Sequence, residues 1–201
     1  MLIINLLTGL FGCLVFLFIF WKRLKDDYAA EIVFKSATYI LIGILATWFI
    51  SVKFFPEWFL WAEFIGGIIG LGISFRFLRV RFYETLEAFV ISSLPWVSLT
   101  LLKSSVVNSS LSSFIAFLVT LVMIFAYYFL DYHYKEFTWY KSGKIGFAGL
   151  FTLALIFVSR SLLALFGIHV LSFVSKFEGI ISGAFAFICF LLIFNLGRVT
   201  E

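Results

Sequence analysis

Seven apolar segments, separated by short polar stretches, make up most of this chain of 201 residues. A helix needs about 20 apolar residues to cross roughly 30 Å of hydrocarbon, and these segments have that length. The Leu, Ile and Phe runs lack the strict alternation of a membrane β-barrel, so helices are the remaining way to pair every backbone group in lipid. The sequence predicts an all-α, polytopic membrane protein with one domain over residues 1–201 and spans at about 2–20, 37–54, 59–75, 86–102, 111–130, 145–166 and 179–196.

The composition supports the same class. Hydrophobic residues are 63% of the chain and charged residues 13%, against roughly 45–50% and 25% in soluble domains. Cys13 and Cys189 both lie in apolar segments with no partner at metal or redox spacing. Neither His133 nor His169 belongs to a recognisable metal-ligand motif of His, Cys, Asp and Glu. We therefore expect no metal site and no cofactor.

The distribution of lysine and arginine predicts how the chain is oriented. Eleven of these 15 residues lie in loops on one side of the predicted spans and three lie on the other side. Cytoplasmic loops carry the excess of positive charge, so the N-terminus is predicted outside and the C-terminus in the cytoplasm. The net charge of +4 is then explained by topology and anionic lipid headgroups, and we expect no nucleic-acid partner.

Arg160 is the remaining basic residue, and it lies inside the sixth span. It is about six residues from the external end, so its Cα is on the order of 9 Å below the outer boundary. An arginine there is costly and needs a counter-charge, a phosphate or water, unless its long stem reaches outward. Glu63 lies at a similar depth in the third span and is the predicted partner if those helices touch. The alternative is that Glu63 faces interfacial water.

Glycines mark one face of the third span. Gly66 and Gly70 are four residues apart, so another helix or a lipid headgroup could come into backbone contact with that face. Trp61 lies near the outer end of the same span, where tryptophan is typical of the membrane interface. After the fourth span, the polar stretch 103–110 predicts a flexible external loop.

Several local features follow one another over nearly the whole chain. They are a basic exit from the first span at 18–25, a glycine element at 65–70, a basic turn at 76–81 followed by Glu87, Arg160 after the glycine-containing turn 142–144, and Leu171-Ser172 followed by Gly179. In this order they resemble the bacterial prolipoprotein diacylglyceryl transferases, a family with seven spans and the same orientation.

The chain departs from that family at three positions of its motifs. The family histidine before the paired glycines is Ile65 here. The tyrosine four residues before the arginine is Ile156, and the glutamate four residues after it is Ala164. The sequence is therefore interpreted as a divergent or degenerate member that lacks the family histidine.

The resemblance implies transfer of diacylglycerol from phosphatidylglycerol to the cysteine thiol of a lipoprotein precursor, in the bacterial cytoplasmic (inner) membrane. The implied lipid-phosphate site consists of Arg160, Gly66, Gly67 and Gly70. Glu63 or His169 would substitute for the missing histidine as base. The expected partners are phosphatidylglycerol or another anionic lipid and a lipoprotein precursor. Two alternatives stay open: a catalytically silent protein of this fold that binds lipid or a membrane partner, and a small transporter.

Overall fold

A computed structural model of the chain describes residues 2–133, 136, 146–166 and 177–198. Its helices are α1 (Leu2–Leu24), α2 (Ala30–Phe54), α3 (Phe59–Leu78), α4 (Phe82–Asn108), α5 (Leu111–His133), α6 (Phe147–Leu165) and α7 (Phe177–Arg198), with a short 3-10 turn at Pro56–Trp58. All seven α-helices within the described residues are long and apolar enough to cross a membrane. This confirms the predicted all-α, seven-helix class.

Several helices extend beyond the apolar segments that the sequence marks. α2 begins at Ala30, where its first turns are polar: Lys35 Nζ lies 2.6 Å from Glu31 Oε1, one turn apart on the same helix. α4 continues to Asn108, and Ser109 ends it with a left-handed φ of 49°. The prediction of a flexible loop over 103–110 is therefore wrong. Hydropathy detects where lipid begins, whereas a helix ends where its backbone hydrogen bonds stop.

α4 is the most enclosed helix, and it contacts α1, α3, α5 and α6. The other close pairs are α2 with α3 and α6 with α7. In the core, the stacked rings of Phe16 and Phe20 lie 5.6 Å apart, and Phe89 from α4 packs edge-on against Phe16. Large apolar side chains remain exposed on all of these helices. Lipid would surround these side chains in a membrane.

The glycines of α3 allow its backbone to approach α2 closely. A Cβ added at Gly70 would lie 2.5 Å from the Cα of Ile40, and one added at Gly66 would collide with the carbonyl oxygen of Gly43. No ordinary side chain fits at that separation, so the α2–α3 pair depends on glycine at both positions.

Candidate functional site

Within the described part of the chain, two clusters of charged side chains lie inside the helix bundle, near opposite ends of the helices. The first connects α1, α4 and α5 with the residue before α6, at the end that the lysine and arginine count places in the cytoplasm. The second connects α3, α6 and α7 at the outer end. Their contacts differ, and the difference separates a structural role from a candidate binding site.

Glu87 is the centre of the cytoplasmic cluster. Its side chain, on the second turn of α4, is buried and forms an ion pair with Arg23 of α1. It also accepts hydrogen bonds from Tyr127 Oη of α5 at 3.0 Å and from the backbone N–H of Gly146 at 2.5 Å. Arg23 also donates a hydrogen bond to the carboxylate of Asp131 at 2.9 Å. One buried carboxylate thus holds four parts of the chain together.

Glu84 lies on the first turn of α4 and extends this cluster. It accepts hydrogen bonds from Tyr28 Oη at 2.6 Å and from Arg81 Nη1 at 2.8 Å, and the backbone N–H of Arg81 donates to Tyr28 Oη at 3.0 Å. Burial and the hydrogen bond to Glu84 raise the pKa of Tyr28, so its hydroxyl stays a donor at neutral pH. The cytoplasmic cluster pairs its charges with one another, which indicates that it fastens the helices.

Arg160 is the centre of the outer cluster. It lies within the last two turns of α6 and forms an ion pair with Glu178 in the first turn of α7. The two side chains are 14% and 3% exposed, respectively. The guanidinium carbon of Arg160 lies 6.0 Å from the ring centroid of Trp61 on α3, within the range of a cation–π contact. Beside the ion pair, Ser161 Oγ donates to the carbonyl of Gly179 at 2.8 Å.

Helix geometry places Ser182 on the side of α7 that carries Glu178. Residues four and seven positions apart lie on one side of a helix, so Glu178, Ser182 and Phe185 share a face. The ring of Phe185 lies 5.7 Å from that of Trp61, which directs this face towards Trp61 and Arg160. Ser182 Oγ and Trp61 Nε1 are both buried, and neither makes a hydrogen bond within the described part of the chain. A buried donor without an acceptor is costly, so both groups point to a ligand with acceptor atoms.

An aromatic layer lies beneath this site, towards the middle of the helices. The ring of Phe157 on α6 stacks on Trp61 at 5.7 Å and on Phe185 at 5.3 Å, and Phe64 packs edge-on against it at 5.1 Å. The third and sixth helices therefore touch. Trp61 is 3% exposed, so it packs between helices instead of facing lipid. Its depth at the membrane interface stays a prediction.

Glu63 does not pair with Arg160 in this structure. Two positions along an α-helix turn a side chain by about 200°, so Glu63 points away from the face on which Trp61 meets Arg160. It lies on the side of Gly70, which packs against α2, and it is half-buried there. Among the described residues it has no ion pair within 4 Å. The expected Glu63–Arg160 pair is wrong, and Glu178 takes that place.

The remaining predicted site residues lie elsewhere. Gly66 and Gly70 face α2, and the ring of Phe89 on α4 lies 2.6 Å from the place of a Cβ on Gly67. Their contact with a lipid headgroup stays a prediction, and the contacts that the structure gives them are with neighbouring helices. His169 lies outside the described residues.

No protein-family model, curated protein or solved structure matches this chain. The fold and the outer cluster define a class, a seven-helix membrane protein with a charged site near one surface. Its resemblance to the prolipoprotein diacylglyceryl transferases stays a prediction from the sequence.

Proposed function

We propose that this protein binds the phosphate of a phospholipid headgroup at Arg160, from the outer leaflet. The observation that carries the proposal is that the largely buried Arg160 lies against Trp61, whose indole N–H is buried without an acceptor, as is the hydroxyl of Ser182 on the face of α7 that also carries Glu178. Phosphate oxygens accept hydrogen bonds in several directions, and a planar guanidinium suits them particularly well. The donors therefore match the chemistry of a phosphodiester.

The surroundings of Arg160 suit a lipid as ligand. Its side chain is partly exposed, at 14%, close to the ends of α6 and α7. Large apolar side chains nearby are exposed: Leu162, Leu165, Phe166 and Phe177. Acyl chains could pack against these side chains while the headgroup reaches Arg160. Phosphatidylglycerol is the lipid that the family resemblance implies, and the bacterial cytoplasmic membrane is the implied location.

Replacing Arg160 with glutamine is expected to weaken phospholipid binding by about ten- to a hundredfold, the value of one charge-assisted hydrogen-bonding group. Native mass spectrometry of the purified protein with short-chain phosphatidylglycerol measures the bound lipid. Arg76→Gln is the matched control, because Arg76 is exposed at the cytoplasmic end of α3. Equal loss in both variants, or no loss in Arg160→Gln, would contradict the proposal.

Trp61→Phe tests the same site without removing a charge. Phenylalanine keeps the aromatic layer with Phe157 but lacks the indole N–H. Weaker lipid binding with an unchanged circular dichroism spectrum is expected. This variant keeps the test decisive if Arg160→Gln leaves Glu178 buried without its counter-charge and the protein unfolds.

Diacylglyceryl transfer is a second proposal, and it rests on the family resemblance together with the position of Arg160. In that reaction the precursor thiol attacks the carbon of the diacylglyceryl unit that bears the phosphate ester oxygen. The bond between that carbon and that oxygen breaks, and glycerol phosphate leaves. Arg160 would stabilise the charge on the departing phosphate. A base takes the thiol proton, and Glu63 and His169 are the candidates from the sequence.

Transfer is tested with purified protein in phosphatidylglycerol liposomes and a precursor peptide, with the lipidated peptide detected by mass spectrometry. We expect lipidated peptide with the wild-type protein and its loss in Arg160→Gln. Unchanged transfer in both Glu63→Gln and His169→Ala would remove both candidate bases. Lipid binding without any transfer by the wild-type protein would contradict the transferase proposal and favour a silent lipid-binding protein.

A further inference from the structure

Within the described residues, the outer cluster combines one positive and one negative side chain. Arg160 and Glu178 form an ion pair, and both side chains are largely buried. Their charges cancel, so the pair does not attract an anion over a distance as a lone arginine would. A headgroup phosphate that approaches Arg160 also comes close to the carboxylate of Glu178. The carboxylate of Glu178 therefore affects which headgroups the site binds.

We infer that this site selects a zwitterionic phospholipid with a primary ammonium group, the chemistry of phosphatidylethanolamine, over phosphatidylglycerol. The inference rests on the proposed binding of phosphate at Arg160. In such a headgroup two carbon atoms separate the phosphate ester oxygen from the ammonium group. The headgroup therefore holds a negative phosphate and a positive ammonium close together. Arg160 and Glu178 form a pair of opposite charges that can face them.

Each charge gains a partner when the two pairs lie antiparallel. The phosphate accepts hydrogen bonds from Arg160, and the ammonium donates to the carboxylate of Glu178. No charge is then left buried without a counter-charge, which is the arrangement that makes burial of ions tolerable. The donors of Trp61 and Ser182 remain available for the other phosphate oxygens.

Other common headgroups satisfy only part of this arrangement. Phosphatidylglycerol has hydroxyl donors but no positive charge, so its phosphate adds a second negative charge beside Glu178. Phosphatidylcholine has a positive charge, but its three methyl groups leave no N–H to donate. The site should therefore rank the ethanolamine lipid first. This order differs from the lipid that the family resemblance implies.

The test is a competition among short-chain phosphatidylethanolamine, phosphatidylcholine and phosphatidylglycerol for the full-length protein, followed by native mass spectrometry. We expect the ethanolamine lipid to bind at least about tenfold more tightly than the glycerol lipid, the effect of one added favourable charge contact. Glu178→Gln keeps the shape of the side chain and removes its charge. It is expected to abolish this preference and to strengthen binding of phosphatidylglycerol.

Glu57→Gln is the matched control, because Glu57 is exposed in the 3-10 turn at the same end of the bundle. It should leave the lipid order unchanged. If wild-type protein prefers phosphatidylglycerol, the inference is wrong and the proposed phosphate site stands. If no phospholipid binds the wild-type protein more tightly than it binds Arg160→Gln, both the inference and the proposed phosphate site are wrong. The wild-type competition decides the inference even if Glu178→Gln does not fold.

Discussion

Replacement of Glu87 with alanine is expected to lower the free energy of unfolding by about 2–4 kcal/mol. The change removes the acceptor that Arg23, Tyr127 and the backbone N–H of Gly146 share at the cytoplasmic end. Tyr127 is almost fully buried and cannot turn to water, whereas the Arg23 side chain is 31% exposed and can partly rehydrate. Unfolding of the purified protein in mixed micelles with increasing dodecyl sulfate, followed by circular dichroism, measures the loss.

Glu31→Ala is the control for this prediction. Glu31 also forms an ion pair, with Lys35, but its side chain is 75% exposed and both residues lie on α2. Solvent screens such an exposed pair, which therefore contributes little to stability, so this variant should unfold almost as the wild type does. Similar losses in the two variants would show that the buried contacts of Glu87 do not fasten the helices.

Replacement of Gly70 with alanine is expected to lower the free energy of unfolding by about 1–3 kcal/mol, the usual cost of overpacking. The new Cβ would lie 2.5 Å from the Cα of Ile40, and backbone atoms cannot move aside as a flexible side chain can. α2 and α3 must therefore separate or shift along each other. The same unfolding experiment measures the effect.

Gly72→Ala is the matched control, two positions further along the same helix. A Cβ at Gly72 meets nothing within 4 Å. Alanine is the better helix former by roughly 0.5–1 kcal/mol, so this variant should be as stable as the wild type or slightly more stable. If Gly70→Ala is equally stable, close packing of α2 on α3 is not what requires glycine there.

The two charged clusters make different predictions for function. Loss of Glu87 should reduce stability while the folded fraction still binds lipid, because that cluster lies at the other end of the bundle from Arg160. Loss of Arg160 should reduce lipid binding. If Glu87→Ala and Arg160→Gln each weakened lipid binding to the same extent, the two ends of the helix bundle would be coupled.

The amino-acid sequence by itself determined the class of this protein and the approximate position of every span. Both depend on the length and polarity of continuous segments, which are local properties. The sequence also identified Arg160 as a charge that needs a partner, since no other basic residue lies as far from the end of a predicted span. For Gly66 and Gly70 it left a choice between a helix and a headgroup, and the structure places α2 there.

Only the tertiary structure decided which groups meet. Glu63 and Glu178 are both acidic residues near outer helix ends, and depth in the membrane does not distinguish them as partners of Arg160. The rotation of each helix about its axis does: α7 turns Glu178 towards Arg160 of α6, whereas α3 turns Trp61 inward and Glu63 towards α2. Those rotations follow from the packing of all seven helices, through contacts such as Gly70 against Ile40, and a single segment does not contain that information.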